Sequence, residues 1–205
     1  MGLKEKKQKH REEFRREIIE AAKSLFNSEG YDKFSMRRLA GKIGYSPTTI
    51  YLYFRDKDEL LYTISEELFA QLIRSMDRCV KDAPEPFEAL RQSLISYVEF
   101  GVSHPDHYRA AFFTNPNVYG SPEEFLEKES LSRHAYCQGR QLAAACIAAG
   151  QLRQMDVDVI AQILWTGVHG IVAASLFTAD FPLQDPVRLA ETMVDALLKG
   201  LGERL

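Results

Sequence analysis

Between Ser35 and Phe54 the chain starts a helix, stops it and starts another, and this punctuation leaves room only for short helices. Ser35 is a favoured N-cap, and Met36, Leu39, Ala40 and Ile43 follow at i, i+3, i+4 and i+7, on one apolar face. Arg37, Arg38 and Lys42 lie off that face. Gly44 ends the helix. Ser46-Pro47 opens the next one, with proline at the first helical position, where its missing N–H removes no bond. That helix is expected to run only to about Tyr53 or Phe54. It can anchor Ile50 and Phe54 in a core. Thr48, Thr49, Tyr51 and Tyr53 remain as hydroxyl, methyl and phenol groups beside a basic helix, a surface suited to DNA. The composition Thr-Thr-Ile-Tyr-Leu-Tyr-Phe is itself strand-like. A helix is still expected, because no partner strand occurs elsewhere and an unpaired strand leaves its backbone unsatisfied.

The net charge of −3 hides an asymmetry. Residues 1–55 carry 13 Lys+Arg against 7 Asp+Glu, a net of +6, whereas residues 56–205 carry 13 against 22, a net of −9. A basic first quarter on an acidic body fits contact with a polyanion, or equally a solubilising tail. Three cysteines without a CxxC pair argue for a reducing compartment, and no secretory signal is recognisable, so the expected location is cytoplasmic. From Val159 to Ala179 no residue is charged, long enough to cross a membrane. Gln162, His169, Gly167 and Gly170 inside that span favour burial in a bundle or between subunits, so no membrane partner is expected.

Helical spacing recurs along the chain. One helix is expected over 4–29, its leading residues Lys4 to Arg11 forming a loose basic arm. Others are expected from Lys57 to about Val80, over 86–103 and over about 105–114. A turn at Asn115 to Gly120 precedes a long helix opening at Ser121 and closing near Gly150. The last two helices are expected over 157–179 and 186–200. The fold class is all-α, with about nine helices.

Residues 35–61 resemble the helix-turn-helix of the TetR family of transcriptional regulators. The carrying residues are Leu39-Ala40, Gly44-Tyr45-Ser46, Thr49-Ile50-Tyr51-Leu52-Tyr53-Phe54 and Lys57-Asp58-Glu59-Leu60-Leu61. Tyr45 stands where the family usually has valine. The resemblance implies a three-helix DNA-binding module over 1–56, linked by helix 4 to an effector-binding and dimerisation domain over 57–205. In a recognition helix the N-terminal residues meet base edges, which assigns that task to Pro47, Thr48 and Thr49. Tyr51 and Tyr53 are placed to bond phosphate oxygens, or else to pack half-buried. Lys57 resembles the family's phosphate-binding lysine, and Arg37 reaches a guanine or a phosphate. The basic arm either follows a groove or backbone or stays exposed.

The same resemblance implies a small-molecule effector and a homodimer. The uncharged helix 157–179 and the wide apolar face of the last helix, about 186–201, are the expected dimer contacts. Trp165-Thr-Gly-Val-His169-Gly170 resembles a signature of one C-terminal subgroup. Tyr97, Phe100, Tyr108, Phe112, Phe113, Tyr136, Trp165 and His169 are candidate pocket residues for an apolar or aromatic effector; ordinary core packing is the competing reading for each. His104-Pro-Asp-His107 lacks a third nearby ligand, so no metal is expected, and no cofactor or catalytic motif is found. The expected function is a sequence-specific DNA-binding repressor released from its operator by an effector. The alternatives are a bundle whose N-terminal module binds a protein partner, and a small-molecule-binding enzyme.

Overall fold

The computed structural model describes residues 2–30, 32–113, 119–178 and 180–202. Among them are ten α-helices and no strand: α1 Leu3–Glu29, α2 Met36–Ile43, α3 Pro47–Tyr51, α4 Lys57–Asp82, α5 Pro86–Ser103, α6 Pro105–Phe113, α7 Pro122–Glu127, α8 Leu131–Ala148, α9 Val157–Phe177 and α10 Pro186–Leu201. Asn115 to Val118 of the expected turn, and Ala179 at the expected end of α9, lie outside the described residues.

Two expectations are corrected. The long helix from Ser121 to Gly150 is two helices. Ser121 and Glu124 cap α7 reciprocally, the Ser121 Oγ accepting from the Glu124 N–H at 3.2 Å while the Ser121 N–H donates to the Glu124 carboxylate at 2.6 Å. A second cap then intervenes: Ser130 Oγ accepts the Arg133 N–H at 3.2 Å and restarts the chain as α8. The loose arm is also corrected, since Leu3 to Arg11 are helical and continuous with α1. Side-chain pairs one turn apart support this stretch, Gln8 donating to Glu12 at 2.8 Å and Lys9 lying 3.8 Å from Glu13.

The chain forms two compact units, Met1–Leu68 with Asp106–Glu124, and Phe69–Pro105 with Phe125–Leu205. In the first, α1 contributes Phe14, Ile18, Ala22 and Phe26 to a core completed by Leu39 and Ala40 of α2, Ile50 of α3, Phe54, Leu60 and Ile64. Phe26 stacks on Phe34 with ring centroids 4.1 Å apart. In the second, α5 packs against α8, α9 and α10. Arg91 of α5 grips Asp195 of α10 through two bonds of 2.6 and 3.2 Å, and Arg140 of α8 grips Asp158 of α9 with the same two lengths.

Helix α9 buries Ile160, Leu164, Val168 and Val172 on one face. On the other, Val159, Gln162, Ile163, Thr166 and Gly170 are exposed, an i, i+3, i+4, i+7, i+11 stripe. By length and composition α9 is the one helix among the described residues apolar enough to cross a membrane, yet only 28% of its most apolar stretch is buried. Val159, Ile163 and Trp165 of α9 are left exposed on the subunit surface.

Candidate nucleic-acid interface

Two serine caps and one left-handed glycine shape the reading head. Ser35 Oγ accepts the Arg38 N–H at 3.2 Å and starts α2. Gly44 ends it at φ 75°, ψ 24°, where a side chain would be strained. Ser46 Oγ accepts the Thr49 N–H at 3.2 Å and lies 2.8 Å from the Thr49 hydroxyl. Helix α3 is shorter than expected, because its end tightens: the Leu52 and Tyr53 N–H groups bond the carbonyls three residues back, at 3.3 and 2.9 Å. The tightening keeps Ile50 and Phe54 on one side, at 0% and 1% exposure.

Everything else on α3 faces outward. Pro47, Thr48 and Tyr51 are exposed and Thr49 is half-exposed. Tyr53 is half-buried, its ring edge-on to Phe14 at 5.1 Å and beneath the Arg11 guanidinium at 5.8 Å. Arg37 is exposed; its neighbour Arg38 is held by Glu29 at 2.6 Å, and Lys42 bonds Ser24 at 2.8 Å. Lys57, half-buried, begins α4 one residue after Asp56. The Asp56 carboxylate caps that helix by accepting the Glu59 N–H at 2.8 Å. This bond, with the one from the Arg55 guanidinium, holds the Asp56 carboxyl below the usual carboxylate range.

Two residues of the motif that were given no contact role from the sequence also lie on this surface. Leu52 is 71% exposed and Tyr45, with its ring 4.4 Å from Phe14, is 46% exposed. For Leu52 the alternating pattern was misleading: read as a strand it would pair with Ile50 and Phe54, but on a helix two positions on it turns away. Gly41 sits inside α2, and a Cβ added there would meet nothing within 4 Å.

The eight candidate effector residues fall in both units. Tyr108, Phe112 and Phe113 belong to the first, where Tyr108 is buried and its ring lies 4.6 Å from Phe112 and 6.3 Å from Phe113. The second holds Tyr97, Phe100, Tyr136, Trp165 and His169. There the Tyr97 hydroxyl is 3.3 Å from His169 Nδ1, and Trp165 stacks on the imidazole at 5.0 Å. Tyr136 donates its hydroxyl to Asp158 at 3.1 Å, inside the Arg140 ion pair. A further group emerges on the face of α5 that carries Tyr97. Ser93, one turn earlier, is 3% exposed and its hydroxyl has no hydrogen-bond partner. Its only sequence signal was a serine interrupting an apolar face.

Burial pushes the His169 imidazole below its ordinary range. The sign follows: the fold favours the neutral ring, while an unfolded histidine protonates near about 6.5. This contribution is therefore present above that pH and is lost as pH falls below it. Between about pH 7.5 and 5.5, the urea midpoint of the native chain should fall further than that of His169→Gln. Equal falls would remove His169 from the acid response.

A reading helix with its short residues outward, set on a capped partner helix and joined to an α-helical second unit, defines a helix-turn-helix transcriptional regulator. Residues 18–63 match the model of the bacterial regulatory proteins of the tetR family, and residues 90–197, more than half of the chain, match that of the tetracyclin repressor-like C-terminal domain. The chain belongs to the TetR family of DNA-binding transcriptional regulators. It is 23% identical over 190 residues to the fatty acid metabolism regulator protein of Bacillus subtilis (strain 168), covering 92% of this chain and 95% of that one. Two solved structures share the fold. The fatty acid degradation regulator FadR of Bacillus halodurans superposes with a TM-score of 0.77 at 18% identity, over 93% of this chain and 97% of that one. FadR of Bacillus subtilis in complex with stearoyl-CoA gives 0.75 at 19%, over 89% and 97%.

Proposed function

We propose that this chain is a cytoplasmic, homodimeric repressor that binds a two-fold operator and is released by a long-chain acyl-CoA or a similar apolar effector. The observation that carries the reading is the division of α3, with Ile50 buried and Pro47, Thr48 and Tyr51 exposed. In this proposal residues 1–56 form the DNA-binding domain and 57–205 the effector and dimer domain. Pro47, Thr48 and Thr49 meet base edges; Thr48 has a methyl group for a thymine and a hydroxyl for a base edge. Tyr51, Tyr53, Lys57 and Arg37 hold phosphates and fix the register.

The effector reading rests on the cluster of Tyr97, His169 and Trp165 and on the buried, unpartnered Ser93 hydroxyl one turn before Tyr97. An unmatched polar group in an apolar interior is costly, and a ligand carbonyl would satisfy it. Relatives with fatty-acid regulator names make an acyl chain the first candidate. The exposed stripe of α9, with Leu189, Met193 and Leu197 of α10, supports dimerisation. Gly167 lets α10 approach α9, since a Cβ there would lie 3.0 Å from the Met193 side chain. Effector binding shifts a two-state equilibrium in which α4 carries the reading heads to a separation that no longer matches half-sites about 34 Å apart.

Gel shifts on the DNA upstream of the chain's own gene test this. The native protein should bind with a steep salt dependence. Thr48→Ala should erode the preference for operator over mismatched DNA by about 1–3 kcal/mol. Stearoyl-CoA should weaken binding by about 5- to 150-fold. Absence of salt-sensitive binding to any duplex would favour a protein partner for the module. Binding indifferent to stearoyl-CoA would remove the acyl-CoA reading alone.

A further inference from the structure

We infer that the N-terminal turns of α1 form a second DNA-binding surface, a cationic stripe that clamps the phosphate backbone beside the major-groove contact. This rests on the DNA-reading role proposed above. At about 100° per residue, Lys4, Lys7, Arg11 and Arg15 fall within an arc of about 80° that contains no carboxylate before Glu29. All four are exposed. The arc is collinear with the buried face of the same helix, Ile18, Ala22 and Leu25. Helix α1 therefore keeps one face in register along its length. Where the core ends, near Phe14, that face stops being apolar and becomes basic.

Two contacts fix the direction in which the stripe looks. The Arg15 guanidinium lies over the Phe54 ring at 4.8 Å and the Arg11 guanidinium over the Tyr53 ring at 5.8 Å. Both rings come from the chain that ends the reading helix. One open cleft is bounded by Lys4–Glu12 on one side and Tyr53 on the other. The carboxylates at its edge are engaged locally, Glu5 by the Gly2 N–H at 2.7 Å and Glu12 by Gln8 at 2.8 Å. Lys4 to Arg11 spans about 10 Å of helix, the scale of a few phosphates. A polyanion held against α3 is the occupant this charge and continuity select; an acidic protein surface would not need the stripe to continue the reading head.

The test compares two double variants that lose the same charge from different faces. Lys4→Gln with Lys7→Gln removes two stripe cations; Lys6→Gln with Arg16→Gln removes two exposed cations that lie neither on the stripe nor along the cleft. Duplex affinity is measured by fluorescence anisotropy across salt, with helix content checked by circular dichroism. The stripe variant should flatten the slope of log affinity against log salt by about 1.8, two phosphates at about 0.9 each. Between 50 and 200 mM salt it should therefore lose about 12-fold less affinity than the native chain does. The loss should appear on operator and unrelated DNA alike. The control pair should leave the slope near native. An unchanged slope in the stripe variant, or an equal change in both, overturns the inference while leaving the proposed function standing. No duplex binding by the native chain would overturn both.

Discussion

Replacing Ile163 by glutamate is expected to turn the proposed dimer into a monomer and to weaken operator binding by about 10²- to 10⁴-fold, the avidity that linking two reading heads supplies. Ile163 is 37% exposed in the isolated subunit, and its neighbours on the α9 stripe are Val159, Thr166 and Gly170. In a two-fold interface the same patch faces itself, so one substitution introduces two carboxylates into a single apolar seam. Burying an unpaired charge costs several kcal/mol, more than such a seam can spare. The subunit itself should stay folded, because the buried face of α9, from Ile160 to Val172, is unchanged. Sedimentation velocity reads the mass and near-ultraviolet circular dichroism the fold. A variant that remains dimeric with native operator affinity would move the dimer contact away from α9.

Replacing Phe54 by alanine is expected to cost about 3–5 kcal/mol, the usual range for a large buried aromatic. Phe54 is 1% exposed, lies one turn from the fully buried Ile50, and carries the Arg15 guanidinium on its ring. The loss should concentrate in the first compact unit. Amide exchange in α2 and α3 should rise steeply while α5, α9 and α10 keep their protection. Leu52→Ala is the contrast: at 71% exposure it should change stability by less than about 0.5 kcal/mol. Equal protection of α3 in the native chain and Phe54→Ala would mean that α3 is held by something other than this core.

The helix-turn-helix was legible because local signals agreed there. Ser35, Gly44 and the Ser46-Pro47 pair punctuate the chain, and Leu39, Ile50 and Phe54 sit where helical spacing puts them. Composition pointed to a strand for α3, and the want of a partner outweighed it. Signals failed where two competed. Ser130 is a cap inside an otherwise helical pattern, and apolar spacing alone reads straight through it. Lys4 to Arg11 looked like a tail because the stretch has no apolar stripe, yet its side-chain pairs and its continuity with Phe14 make it helix. Tyr53 illustrates what a sequence withholds: a phenol beside a reading surface and a phenol packed on Phe14 are spelled alike. Ser93 could be recognised only once its burial and its missing partner were visible together.

The short third helix separates two burdens that most helices must carry at once. Its fold rests on Ile50, on the Ser46 cap and on Phe54 just beyond its end. Thr48, Tyr51 and the neighbouring Leu52 make little or no contribution to that fold. Substitutions at these three positions therefore meet little resistance from stability, and in the base-reading role proposed for Thr48 operator preference can drift in descendants of this chain without passing through unfolded intermediates. A lineage that duplicates this gene has, on that exposed surface, the raw material for a new regulatory circuit.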